Sequence, residues 1–308
     1  MMAALHKAFA ELRGASLPYA GAALFLYVLS VVLMGRRWQW VLRGMGQPVR
    51  LRDTCLTHLC SVFVNNVTPG RVAGEVFRVA MLRKRTGMET GRVIASLGWD
   101  RATDVVPLGL MVAVALPTLL RVLPLPAGSP RGLALLAGAG LVLAALIWWQ
   151  LGRLQALLRR FYARLQVFSV RRRELQQAML VSCVVWTMDS ARIWLVAAAL
   201  GAPLRPWQAI PLSVVTVLGG LVPTIGGLGA IEGGLTAALC LLGSSLEQAL
   251  AVTALERGIS YVLATGAGGL LLLGVGGGSL WRTARGRPAA EPAEKGAGER
   301  PVMELEGA

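Results

Sequence analysis

Three apolar stretches of this sequence carry no charged residue and are each long enough to cross a lipid bilayer. They run from Ser16 to Met34, from Gly132 to Gly152 and from Gly258 to Trp281. A helix needs roughly 20 apolar residues to traverse the hydrocarbon core of a membrane. The three stretches therefore predict membrane-spanning helices and place the chain among integral membrane proteins.

The composition supports the same class. Only 15% of the 308 residues are charged and 55% are hydrophobic, whereas a soluble domain carries about 25% charged residues. This excludes a soluble enzyme and a disordered chain. The net charge of +15 does not indicate a nucleic-acid partner, because the basic residues lie between apolar runs. The four cysteines and two histidines have no spacing typical of a disulfide framework or a metal site, so we expect no cofactor.

Two further predicted spans contain prolines or charged residues. Val105–Leu120 contains two prolines and is expected to start earlier, near Val93, and Ala178–Leu204 is interrupted by Asp189 and Arg192. Two more apolar segments, Cys55–Thr68 and Pro206–Leu246, are broken by proline, glycine or asparagine. Irregular backbone at membrane depth is tolerated only where protein or a water-filled cavity satisfies its polar groups. We therefore predict an all-α bundle of five full spans with two re-entrant or broken helical hairpins.

Charge in the loops orients this bundle. Loops 36–52, 71–92 and 151–173 hold 18 Lys and Arg residues, and the alternate loops 121–131, 201–207 and 243–248 hold three. Basic loops stay on the cytoplasmic side, so we predict an external N-terminus and a cytoplasmic C-terminus. The predicted organisation is an N-terminal segment (1–15), a transmembrane domain (16–281) and a disordered tail (282–308) rich in Ala, Gly, Pro, Glu and Arg.

The two halves of the domain, about 16–152 and 178–281, resemble each other. Gly46-Gln-Pro-Val-Arg50 matches Gly201-Ala-Pro-Leu-Arg205, Arg37 matches Arg192, and Asp100-Arg101 matches Glu256-Arg257. In the predicted topology the first broken segment enters from the cytoplasm and the second from outside. The pattern predicts an inverted-topology repeat, which many transporters use to build a site at the membrane midplane. A duplication kept only for helix packing is the alternative.

Ionisable residues inside the predicted spans cost roughly 2.5–3.5 kcal/mol each, so they usually pair or serve a site. Asp100, Arg101 and Asp104 can share one helix face, and Asp189 and Arg192 lie one turn apart. One interpretation is that each set neutralises itself and locks helices together. The other is a polar cavity within the membrane, favoured because the charges coincide with the broken segments.

The segment Pro69-Gly70-Arg71-Val-Ala-Gly74-Glu75-Val-Phe-Arg78 is the most specific motif. A helix that begins near Arg71 would present free N–H groups to an anion such as phosphate, and Arg71 and Arg78 could grip it. Gly226-Gly-Leu-Gly229-Ala-Ile-Glu232 offers the same arrangement from the other side. Neither is a P-loop, because both lack the G-K-[ST] ending. For Arg83, Lys84 and Arg85, a basic face on anionic headgroups is an equal alternative.

At these residues the chain resembles the transmembrane, flippase-like domain of lysylphosphatidylglycerol synthases, which also occurs as standalone proteins of the UPF0104 type. The matching pieces are Arg37-Trp38, residues 65–78, Asp100-Arg101-x2-Asp104, residues 223–232 and Glu256-Arg257. The resemblance covers roughly residues 15–280. It implies lipid handling in a bacterial inner membrane. No soluble aminoacyl-transferase domain follows the last span, so we expect no synthase activity and no enzyme.

These observations predict a protein that binds or translocates an anionic or zwitterionic lipid, either a phospholipid or a polyprenyl-phosphate-linked one. The alternative is a membrane scaffold or accessory subunit for a lipid-modifying or glycosyltransferase enzyme, docked through the basic loop 151–173. The residues predicted to bind the lipid headgroup are Asn65, Asn66, Pro69, Gly70, Arg71, Gly74, Glu75, Arg78, Asp100, Arg101, Asp104, Asp189, Arg192, Pro223, Gly226, Gly227, Gly229, Glu232, Glu256 and Arg257.

Overall fold

A computed structural model describes residues 2–69, 72–122, 169–220, 222 and 224–284. These residues form helices joined by turns, which confirms the all-α class. The helices are α1 (Met2–Arg13), α2 (Leu17–Gly44), α3 (Leu51–Val67), α4 (Val72–Thr86), α5 (Thr90–Val122), α6 (Arg172–Ala199), α7 (Ala209–Gly219), α8 (Ala230–Leu241), α9 (Leu246–Arg257) and α10 (Ala264–Ala284). A 3₁₀ turn, Pro206–Gln208, precedes α7, and a π-helical segment, Gly258–Leu263, joins α9 to α10.

Four stretches of the described helices are long and apolar enough to cross a membrane. They are Leu17–Gly44, Thr90–Thr118, Arg172–Ala199 and Leu246–Gly274. Each corresponds to one predicted span, and the fifth, Gly132–Gly152, lies outside the described residues. Large apolar side chains such as Phe25 (64% exposed) and Leu110 (59%) face outward. Such exposure is unfavourable in water and suits a lipid-facing surface.

Several helix ends differ from the sequence prediction, including both ends of α6, which runs from Arg172 to Ala199 where the span 178–204 was predicted. α2 continues to Gly44, ten residues beyond the predicted end of the first span, so that Arg36 and Arg37 lie inside a helix. The last span begins at Leu246, so that Glu256 and Arg257 lie within it. α10 runs to Ala284, which places Arg282 in a helix and not in the predicted disordered tail. Residues 285–308 lie outside the described part of the chain, as does the basic loop up to residue 168.

Both G-x-P-x-R motifs terminate a long helix in the same way. Gly46 follows α2 with φ of 75°, and Gly201 follows α6 with φ of 62°. The next amide reaches back five residues in each case, from Gln47 to the Leu42 carbonyl and from Ala202 to the Ala197 carbonyl. This is the Schellman arrangement, in which a glycine without a Cβ adopts the left-handed conformation.

Helix pairs position the site. α2 packs against α6, and the consecutive helices α3 and α4, like α7 and α8, pack on each other. With 11 and 12 residues, α7 and α8 are each about 17 Å long, too short to cross alone. The large compact unit of the chain ends at Gly269; the second begins at Leu270, and its described residues continue α10.

Candidate functional site

A buried ion pair links α2 to α5. The Arg37 Nε atom donates to Asp100 Oδ1 at 2.9 Å, and these side chains are only 4% and 2% exposed. Arg37 Nη1 also donates to Asp104 Oδ1 and, at 2.9 Å, to Ser182 Oγ on α6. Arg37 therefore holds three helices together, because a planar guanidinium can bond several acceptors at once.

Arg78 supplies the second cation of this group. Its Nη2 donates to Asp100 Oδ2 at 3.1 Å, and its Nη1 donates to Glu75 at 3.2 Å. The guanidinium carbon lies 4.1 Å from the centroid of the Trp38 ring, a distance suited to a cation–π interaction. Arg78 is 2% exposed, so it is enclosed by protein and is not open to a ligand in this structure.

Glu75 and Arg101 form a more open pair. Arg101 Nη2 donates to Glu75 Oε1, and the two side chains are 56% and 30% exposed. Arg101 Nη1 also lies 3.9 Å from Asp104. We call Arg37–Asp100 the inner pair and Arg101–Glu75 the outer pair of the first half.

The second half has its own inner pair. Arg192 Nη1 donates to Glu256 Oε1 at 2.5 Å, and the two side chains are 6% and 4% exposed. Arg192 Nη2 donates to Asp189 at 2.6 Å, and its guanidinium lies 5.7 Å from the centroid of the Tyr27 ring.

The second outer pair is Arg257–Glu232. Arg257 Nε donates to Glu232 Oε1 at 2.6 Å, and Arg257 Nη2 donates to the Gly226 carbonyl at 3.1 Å. Arg257 also lies over Tyr261, 4.6 Å from the ring centroid. The Glu232 side chain is 30% exposed. The same inner and outer pairing thus recurs at positions 155 to 157 residues apart in the sequence.

The two broken segments meet. Pro69 and Ile225 form an isolated antiparallel backbone bridge. The Tyr261 hydroxyl donates to the Asn66 carbonyl at 3.0 Å, and the Asn66 side chain donates to Thr265 at 2.8 Å. Gly226, at φ of 59°, packs so closely on Tyr261 that a Cβ would clash with the ring. Asn66 therefore joins the two halves.

The helices α4 and α8 begin after the two breaks. Side chains of the protein itself accept hydrogen bonds from some of the backbone amides at their N-terminal ends. Asn65 Oδ1 accepts from the Gly74 amide at 2.8 Å, and Glu232 Oε2 accepts from the Gly229 amide at 2.6 Å. Side chains that accept from the first turn satisfy donors that would otherwise be free. These two N–H groups belong to the set predicted to bind phosphate, and in the structure each already donates to a side chain of the protein. Gly70, Arg71 and Pro223 lie outside the described residues.

A cleft of about 540 Å³ opens beside the second outer pair. Helices α1, α8 and α9 contribute its walls. Its lining includes the apolar residues Leu12, Ala237, Leu250 and Ala254 together with Cys240, and among the described residues its charged lining consists of Glu232 and Arg257. Such a volume is typical of small-ligand sites, and the mixture of apolar walls with one ion pair suits an amphiphile.

The pattern of ion pairs differs from the sequence prediction in two respects. Asp100, Arg101 and Asp104 were expected to interact mainly along one helix, but Asp100 binds arginines from α2 and α4. The sequence prediction counted Arg37 among the charges of a cytoplasmic loop and left it out of the predicted site. In the structure Arg37 is buried and binds Asp100, which belongs to that site. The signal that identifies it is its match to Arg192 in the repeat. Described residues include no group of three His, Cys, Asp or Glu that could hold a metal ion.

Comparison with known proteins decides the family. The sequence profile of the lysylphosphatidylglycerol synthase TM region matches residues 2–268. The chain belongs to this family. It is 25% identical to a UPF0104 membrane protein of Pyrococcus horikoshii over 285 residues, which cover 82% of this chain and 85% of the relative. It is 22% identical to a UPF0104 membrane protein of Methanocaldococcus jannaschii over 282 residues, covering 83% and 84%. Together with its apolar helices, these matches show that this family member is a multi-pass membrane protein.

Proposed function

We propose that the protein binds a zwitterionic or anionic membrane lipid at its outer pairs and moves it between leaflets. The observation that carries this proposal is the position of Arg257 and Glu232 in the wall of a largely apolar cleft. An amphiphile has the same composition, a charged headgroup attached to an apolar chain. The cleft can hold the chain while the ion pair meets the headgroup.

A partly exposed arginine–glutamate pair, such as Arg257 (14% exposed) with Glu232 (30%), matches a zwitterion charge for charge. A lipid phosphate can replace Glu232 on Arg257, because guanidinium groups bind phosphate through two donors. An ammonium group on the same lipid can then pair with the released Glu232. No net charge remains uncompensated during this exchange, which avoids the cost of an isolated charge in a low-dielectric medium. Arg101–Glu75 offers the same exchange in the first half.

The inner pairs serve a different role in this proposal. Arg37–Asp100 and Arg192–Glu256 are almost fully buried, so they hold helices in place and do not contact the headgroup. The two interpretations of the intramembrane charges thus apply to different residues: the inner pairs stabilise the bundle, and the outer pairs bind the ligand.

We further propose that the two halves form an inverted-topology repeat whose broken segments are re-entrant. The matched inner and outer pairs support this, as do the equivalent helix ends at Gly46 and Gly201. In this arrangement the N-terminus lies outside and the C-terminus in the cytoplasm of the cell membrane. One outer pair would then bind lipid headgroups from the cytoplasmic leaflet and the other from the outer leaflet. In many transporters, paired broken helices of an inverted repeat likewise form the substrate site.

A leaflet-resolved assay in proteoliposomes tests the function. Acyl-labelled phosphatidylethanolamine supplies a zwitterion, and acyl-labelled phosphatidylglycerol supplies an anion. Arg257→Ala and Arg101→Ala should each slow lipid movement at least tenfold. The control is Arg85→Ala, which removes a partly exposed ion pair with Asp53 that belongs to neither outer pair and should move lipid at the wild-type rate. Equal rates in wild type and a combined Glu232→Ala/Arg101→Ala variant would refute the proposal.

The same assay separates translocation from a scaffold role. Deletion of residues 151–168 should leave lipid movement intact if the outer pairs carry the function. Loss of movement on this deletion, with the outer-pair variants unaffected, would instead support docking of a lipid-modifying or glycosyltransferase partner at the basic loop.

A further inference from the structure

Two threonines lie side by side in the wall of the cleft, next to the second outer pair. Thr236 on α8 and Thr253 on α9 both line the cleft, and their hydroxyl oxygens are 3.0 Å apart. Each threonine is four residues, or about 6 Å along its helix, from a member of the Glu232–Arg257 pair. Farther along both helices the lining is apolar, up to Leu246. The cleft therefore presents charged, hydroxyl and apolar groups in that order.

The hydroxyl pair has a hydrogen-bond donor to spare. Thr187 and Thr216 each donate to a backbone carbonyl of their own helix, as threonines inside helices commonly do. Thr236 and Thr253 bond to each other instead, and neither donates to a backbone carbonyl in the described part of the chain. One hydrogen bond uses only one of the two hydroxyl hydrogens. The other O–H is therefore available to a ligand that brings an acceptor into the cleft.

The volume of the cleft limits how much of a lipid it can hold. An apolar cavity of roughly 150 Å³ binds one benzene molecule, which corresponds to roughly 25 Å³ per carbon atom. The volume of about 540 Å³ then accommodates roughly 20 carbon atoms. This is enough for one acyl chain of a membrane lipid and too little for two, so a second chain would stay in the bilayer.

A glycerophospholipid carries the same three kinds of group in the same order. Its headgroup is charged, the glycerol unit next to it bears ester carbonyls, and the acyl chains follow. An ester carbonyl accepts hydrogen bonds and donates none, so it matches the spare hydroxyl of the threonine pair. A prenyl chain attached directly to phosphate has no acceptor at this position.

We propose that Thr236 and Thr253 form a subsite for the ester carbonyl of a glycerophospholipid, one acyl chain of which lies in the cleft. This inference rests on the proposed binding of the headgroup at the Arg257–Glu232 pair. It narrows the ligand to an ester-linked lipid and disfavours the polyprenyl-phosphate class.

A competition between two lysophospholipids tests the subsite. Palmitoyl lysophosphatidylethanolamine contains the ester, and its hexadecyl ether analogue has the same headgroup and chain length without the carbonyl. Native mass spectrometry of the purified full-length protein, mixed with equal concentrations of both, separates the two complexes by mass. Wild type should bind the ester lipid about threefold to tenfold more than the ether lipid, because one net hydrogen bond corresponds to such a factor. The double variant Thr236→Val/Thr253→Val should bind the two lipids equally.

Matched variants separate the subsite from a structural role of the pair. Replacing both partners of a hydrogen bond by apolar groups of the same shape is nearly neutral for stability, so the double valine variant should fold. Thr236→Ser/Thr253→Ser keeps both hydroxyls and should keep the preference for the ester. Thr187→Val, which removes an exposed hydroxyl outside the cleft, should keep it as well. Equal binding of the two lipids to wild type, or a preference that persists in the double valine variant, would overturn the subsite.

The subsite and the proposed function can fail separately. A preference for the ester in a protein that moves no lipid between leaflets would refute translocation and leave the subsite in place. Lipid movement that depends on Arg257, together with equal binding of the ester and ether lipids, would do the reverse.

Discussion

Arg192 and Glu256 are 64 residues apart in the sequence, and their side chains form a 2.5 Å hydrogen bond in the protein interior. Arg37 and Asp100, 63 residues apart, make the equivalent contact in the other half. Each pair joins a long helix to the second helix after a break in the chain, and the ion pairs Arg78–Asp100 and Glu232–Arg257 join that helix to the one directly after the break. The breaks are thus fixed in space by charge as well as by packing.

Removal of an inner arginine should be strongly destabilising. Arg37→Ala leaves Asp100 and Asp104 with less compensation in a buried environment, and breaking a buried pair costs about 3–5 kcal/mol. Denaturant unfolding in detergent measures the loss. Arg85→Ala serves as the comparison, because its pair with Asp53 is more exposed and surface pairs contribute up to about 1 kcal/mol. Comparable losses in both variants would show that the inner pair is not structural.

Reversal of the second outer pair should separate stability from function. Arg257→Glu and Glu232→Arg should each destabilise the protein by leaving like charges together, and the double variant should recover part of that loss. Lipid movement should stay low in the double variant, because Arg257 also bonds the Gly226 carbonyl and lies over Tyr261. Recovery of transport together with stability would mean that only a neutral pair is required.

Filling the cleft should exclude the lipid chain. Cys240 lines the cleft, so a fluorophore on it, with the other three cysteines replaced by alanine, should be quenched by phospholipids brominated on their acyl chains. Ala254→Trp, also in the cleft, should reduce this quenching several-fold. Ala113→Trp, on an exposed face of α5, should not. Unchanged quenching in Ala254→Trp would place the chain elsewhere.

Gly74 should tolerate no side chain. A Cβ there would clash with the Asn65 carboxamide that caps α4, so Gly74→Ala should lower the free energy of unfolding by about 1–3 kcal/mol through overpacking and loss of the cap. Gly109 has open space around it, so Gly109→Ala should be neutral or stabilise by up to about 1 kcal/mol. Thermal unfolding compares the two, and an equal response would show that the contact with Asn65 is unimportant.

The fold was predictable where one physical effect dominates. Uncharged runs of spanning length locate two of the four described spans, Leu17–Gly44 and Leu246–Gly274, because the insertion cost of charge is large compared with any local preference. Helix ends were less predictable. α2 passes the arginines at 36 and 37 without a break, since arginine is a good helix former and no terminating glycine occurs before Gly46.

The site was predictable in its residues but less so in its contacts. Spacing along one helix suggested the sets at Asp100–Asp104 and at Asp189–Arg192, and the contact between Arg192 and Asp189 is present. Pairs that join helices depend on tertiary packing, which periodicity does not report. Arg37 was assigned to a loop because the rule of basic cytoplasmic loops counts sequence position and not burial.

The backbone bridge between Pro69 and Ile225 connects the two broken segments directly. The bridge, the Tyr261–Asn66 bond and the Asn66–Thr265 bond all join one broken segment to the other half. Any rocking motion that opens a path between the breaks must first rupture these few bonds, while the buried ion pairs within each half can stay intact. Together with the packing of α2 on α6 and the Arg37–Ser182 bond, these contacts between described residues would then set the barrier to such a motion.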